Sequence, residues 1–125
     1  MSLLSRKISE LKERTAKAVQ GGGESAIAKQ IAMGKLPARE RISQLLDPGS
    51  FYEYDLFIEH DAREFGMDGK ELAGDGVVIG TGTINGKPVA IYAQDFTVAG
   101  GSLGSMHARK ITNIMGYALS MRLPL

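Results

Sequence analysis

The stretch Gly76–Phe96, GVVIGTGTINGKPVAIYAQDF, decides how the rest of the sequence folds. Two β-rich runs flank Asn85-Gly86, a dipeptide that tolerates the positive φ angles of a type I′ turn. The pattern predicts an antiparallel hairpin with strands near 76–84 and 87–95. The second run, Val89 to Ala93, has almost no polar interruption, which fits a strand covered on both faces.

Downstream, the hairpin feeds Gly100-Gly101-Ser102-Leu103-Gly104. From Leu103, positions His107, Ile111, Ile114, Met115 and Ala118 recur at helical spacing. A helix near 104–121 is expected to fold back on the sheet. Leu123-Pro124-Leu125 then opens a new apolar run, where a further strand is expected to begin.

Upstream, Leu4, Ile8, Leu11 and Ala18 share one face of a predicted helix over 4–19, ended by Gly21-Gly22-Gly23. A second helix is predicted over 24–33, stopping at Gly34. Pro37 suits the first turn of a third, ARERISQLL, closed by Asp47-Pro48-Gly49. SFYEYDLFIEH (50–60) reads as a strand or an extended arm, and AREFGMDGKELAGDG as a loop.

The 125 residues suit one domain near the small end of the range, and a 43% apolar share is ordinary for a globular protein. The net charge of +1 argues against a broad nucleic-acid surface. Without cysteine there is no thiolate site or disulfide, which suits a reducing compartment. The N-terminus has no apolar core of a secretory signal, and no run approaches a membrane span. His60 and His107 are too few for a histidine-rich metal site, so no metal is expected.

The glycine turn is open to two readings. Unpaired N–H groups at a helix start, with glycines allowing close approach, can seat an anion, and Ser102 can cap the helix or donate to a ligand. Yet the turn has neither P-loop nor GxGxxG spacing, and by spacing alone a structural connection is the better reading. Asp95 is open to a role as base or as turn partner. His107 reads as packed or solvent-facing. Arg39, Glu40 and Arg41 read as a solvated face or an intersubunit salt-bridge set, and Arg109 and Lys110 as phosphate contacts or surface residues.

In order along the chain, GKLPARERI, LLDPGSF, GDGVV and QDFTVAGGSLG resemble the N-terminal part of biotin-dependent acyl-CoA carboxyltransferase subunits. The resemblance covers about residues 5–125 and is nearest to propionyl-CoA carboxylase beta chains and methylmalonyl-CoA decarboxylase carboxyltransferase subunits. It implies an α/β fold in which N-terminal helices (1–49) precede the start of a crotonase-like ββα-spiral domain (50–125). It also implies a fragment, with the oxyanion-hole motifs beyond Leu125 and so no catalytic residue in this chain. Gly100, Gly101, Ser102, Leu103 and Gly104 are implied to line the acyl-CoA pocket. The family's reaction uses biotin on a separate carrier, with acyl-CoA as substrate. Implied partners are biotin carboxyl carrier and biotin carboxylase components, or membrane decarboxylase subunits, within a homo-oligomer. The implied setting is cytoplasmic, or the mitochondrial matrix. A non-catalytic assembly module is the competing reading from a different class.

Overall fold

The computed structural model describes residues 2–125. The chain runs α1 (Leu3–Val19), α2 (Glu24–Ala32), α3 (Ala38–Leu45), β1 (Tyr52–Tyr54), β2 (Val77–Ile84), β3 (Lys87–Gln94) and α4 (Ser105–Met121). Both predicted strands and all four predicted helices form, with ends shifted by a residue or so. Of the 50–60 segment, only Tyr52–Tyr54 pairs as a strand.

The sheet has the order β1-β2-β3, antiparallel throughout. The hairpin register, Ile84 opposite Lys87, leaves Asn85-Gly86 as the turn, and Asn85 takes φ 51° as that turn requires. Period-two alternation splits the two faces. Val77 and Ile79 meet Ala90, Ile114 and Ala118 under α4. Val78 meets Ala38, Ile42 and Leu46 under α3, with Val89, Ile91 and Ala93 beside it.

This arrangement corrects one expectation. The strand covered on both faces is β2, whose first four residues are all buried; in β3 only Ala90 is. The reason is position: β2 lies between β1 and β3, with α3 on one face and α4 on the other. β3 carries its second edge outward, where the Ala90 N–H donates to the Pro124 carbonyl at 2.8 Å. The final residues thus return from α4 to lie beside β3.

Arg39 also differs from expectation. Its guanidinium donates to both Glu53 oxygens at 2.6 and 2.8 Å, clamping α3 to β1 within this chain. Such a two-point fork is more specific than a surface ion pair.

Candidate functional site

At the end of β3 the chain reverses through Asp95–Gly104. Asp95 acts as a turn partner: its Oδ1 accepts the Thr97 N–H at 2.9 Å and the Thr97 hydroxyl at 2.5 Å. Ala99, Gly100 and Gly101 then take successive positive φ values of 46°, 64° and 75°. Glycine suits two of the three; Ala99 carries the strain. Gly101 is also a place of close approach, since a Cβ there would lie 2.7 Å from the Phe96 ring. Gly100 meets nothing on that side and faces open space.

The start of α4 is not the anion seat that its sequence allows. Ser102 does not cap it; the N-cap position is Gly104, which has no side chain to do so. The cap comes from a distance. Asp75, buried in a left-handed turn between two glycines, accepts the His107 N–H at 2.8 Å. The Ser105 hydroxyl donates to Asp61. Two carboxylates therefore already serve this helix end, and their charge repels a phosphate there.

His107 and Lys110 lie beneath, both with zero exposure. The His107 Nε2 is 3.2 Å from the Gln94 amide nitrogen, and its Nδ1 has no partner. Lys110 is neither a phosphate contact nor a surface residue. Its amine donates to the Gly74 and Val77 carbonyls at 2.9 and 2.5 Å, tying α4 to the turn that carries Asp75. Burial pulls the Lys110 amine down to about 8, against the pull of Glu53, Asp55 and Asp75. Arg109 is exposed.

The open side of the glycine turn belongs to a groove of about 780 Å³, within the range of small-molecule sites. One wall is α2, through Ala26, Lys29, Gln30 and Met33; the other is Phe96, Thr97 and Gly100. Lys35, Leu36 and Arg41 also line the groove. Three cations and no carboxylate line it, beside the apolar side chains of Met33, Leu36 and Phe96. Met33 and Phe96 are 65% and 62% exposed and so leave apolar area open on the groove. A buried Gln30 Oε1 has no partner and can accept one hydrogen bond.

Of the five turn residues singled out in the sequence, Gly100 lines this groove; Gly101 supports it from behind, under Phe96. Ser102, Leu103 and Gly104 lead away from it into α4. Sequence reasoning missed Lys29 and Lys35 and read Arg41 as part of a solvated face or an intersubunit salt-bridge set. Their signal was the basic spacing in KQIAMGKLPARER, which only the α2–α3 corner brings together. Among the described residues, no group of three or more His, Asp and Glu gathers as a metal centre, and no helix is long and apolar enough to cross a membrane.

Residues 29–125 match the carboxyl transferase domain family. The chain is 50% identical over 125 residues to the methylmalonyl-CoA decarboxylase subunit alpha of Veillonella parvula, covering all of this chain and 25% of that protein. It is 53% identical over 117 residues to the human mitochondrial propionyl-CoA carboxylase beta chain, covering 92% and 21%. Its fold matches a transcarboxylase 12S crystal structure, a hexamer solved with methylmalonyl-coenzyme A bound, with a TM-score of 0.93 and 43% identity, covering 97% and 24%. The chain thus spans about a quarter of the length of these relatives. With ordered motifs, fold and family match in agreement, the chain belongs to the carboxyl transferase domain family.

Proposed function

We propose that the groove between α2 and the Phe96–Gly100 segment binds the coenzyme A part of a short acyl-CoA, and that the protein bearing this chain moves a carboxyl group between that thioester and carboxybiotin. The observation that carries this reading is the groove's chemistry. Lys29, Lys35 and Arg41 offer three positive charges for a phosphate-rich ligand, and Met33, Leu36 and Phe96 offer apolar area for its uncharged arm. Gly100 stands at the side-chain-free edge, where a thioester can approach the backbone closely.

Biotin enters only as the carboxyl carrier on a separate domain or subunit, the chemistry it supplies being a transferable carboxyl group. The groove, with three cations beside apolar side chains, suits coenzyme A and not a ureido ring. Catalysis by carboxyl transfer calls for backbone N–H groups aimed at developing oxyanions. In this chain Asp75 takes the His107 N–H at the α4 start and sets its charge there, so the contribution proposed for the chain is to hold the substrate.

The proposed organisation is a helical opening region (1–49) followed by the first part of the carboxyltransferase domain (50–125), in a cytoplasmic or matrix homo-oligomer. Both carboxylase and decarboxylase relatives match at about the same identity, so the same site in either direction remains within the proposal. A biotin carboxylase gene beside this one supports the first; a membrane decarboxylase subunit gene supports the second.

Calorimetry of the chain with propionyl-CoA tests the binding reading. Saturable binding is expected, weakened at least about tenfold when Lys29, Lys35 and Arg41 are all changed to Ala, and weakened by added salt. No binding at millimolar ligand, or binding indifferent to those three residues, overturns it and favours an assembly module.

A further inference from the structure

α2 forms one side of the groove yet has no buried residue, whereas α3 buries Ala38 and Ile42. Glycines with positive φ bound it, Gly23 at 90° and Gly34 at 75°. At its C-terminal end, the Gln30 amide donates to the Leu36 carbonyl at 3.2 Å, and the Lys35 N–H donates to the Gln30 carbonyl. Both contacts are local and do not tie α2 to the sheet. Only Ala26, Ile27 and Gln30 are even half-buried, so packing does little to fix the width of the groove.

What ties it to the sheet lies at its other end. The Gly22 N–H donates to the Thr97 hydroxyl at 3.0 Å, and that hydroxyl donates its own proton to Asp95. With the proton committed to Asp95, the Thr97 oxygen presents only a lone pair to Gly22, so the relay has one orientation. The approach is close enough to exclude a side chain. A Cβ on Gly22 would lie 1.8 Å from the Thr97 carbonyl oxygen, and one on Gly21 would lie 2.5 Å from Asp95 Oδ2. The triple glycine therefore does more than end α1.

We infer that Thr97 is a positioning residue for substrate: the relay Asp95–Thr97–Gly22 hangs α2 from the end of β3 and sets its distance from Phe96 and Gly100. The inference rests on the acyl-CoA reading of the groove. Thr97 stands on both sides of it, lining the groove itself while holding the opposite wall. Asp95 acts through Thr97 and touches no ligand. Its carboxylate keeps the hydroxyl turned, which a valine of the same shape cannot reproduce.

Thr97→Val and Thr97→Ser separate the hydroxyl from the shape. Amide hydrogen exchange of the full chain reads the wall, and calorimetry with propionyl-CoA reads the groove. In Thr97→Val, exchange should rise over residues 22–33 while 77–94 and 105–121 stay protected. The dissociation constant should rise about tenfold, the scale of one well-made hydrogen bond. Thr97→Ser should restore both. Unchanged exchange over 22–33 in Thr97→Val overturns the inference, as does loss of protection throughout the sheet, or failure of Ser to rescue. If exchange behaves as expected but the unaltered chain binds no propionyl-CoA, the relay stands as the anchor of α2 and the ligand reading of the groove falls.

Discussion

The two ends of the hairpin teach different lessons about glycine-bearing turns. At Asn85-Gly86, both backbone N–H groups of the turn are spoken for. Asp47 accepts the Thr83 hydroxyl at 2.6 Å, the Asn85 N–H at 2.9 Å and the Gly86 N–H at 2.8 Å, and its own N–H goes to the Thr83 carbonyl. That turn is closed by its own chain. At the other end, Asp95 and Asp75 also absorb donors, but they leave Gly100 bare beside a cationic, apolar groove. What separates a structural turn from a binding one is which donors and faces remain after the carboxylates have taken theirs.

Gly101→Val should break the contrast most severely. It places a β-branched residue at φ 75° and drives its Cβ into Phe96. A stability loss of about 2–3 kcal/mol is expected from the backbone strain alone. Propionyl-CoA affinity should fall with it; chemical denaturation and calorimetry together check both.

Next in size is Lys110→Met, which leaves the Gly74 and Val77 carbonyls without a donor, at about 2 kcal/mol. It also carries a pH signature. Because the folded amine sits at about 8, below its unfolded value, the unfolded chain holds the extra proton between the two. Stability should therefore rise with pH from about 8 towards about 10.4, and the rise should vanish in the variant. Urea midpoints across that range measure it.

The smallest effect, and the one confined to the closed turn, is Asp47→Ala. Hydrogen bonds from the Thr83 hydroxyl first, then from the Gly86 and Asn85 amides, hold the Asp47 carboxyl below its usual range. Its stabilisation is present above the ordinary carboxylate value and lost as pH falls through the lowered folded value. The variant should melt at a lower temperature, lose that acid dependence and bind propionyl-CoA unchanged. Altered binding would mean that the two turns are not independent.

Much of this was legible in the chain itself. Asn85-Gly86 fixed the hairpin to within a residue, because its conformational demand is local. The burial of β2 was hidden for a physical reason: Gly80 and Gly82 lower its apparent hydropathy while making room for Tyr52, Phe51 and Leu46. The apolar run in β3 misled because an edge strand leaves residues such as Tyr92 at 40% exposure. Asp75 and Asp47 act on partners 32 to 39 residues away, and no local pattern reports that. The groove escaped notice likewise, since α2, α3 and the β3 end supply it jointly.

Lys110 has a chemical consequence of its own. An amine at about 8 has a far larger neutral fraction near physiological pH than an ordinary lysine, and a neutral amine attacks thioesters. Placed on the rim of an acyl-CoA site, such a group would acylate itself with the substrate. Here its reactivity is quarantined: it has zero exposure and is tethered to two backbone carbonyls. The fold uses the lysine as a tie-bar and denies it the role of nucleophile.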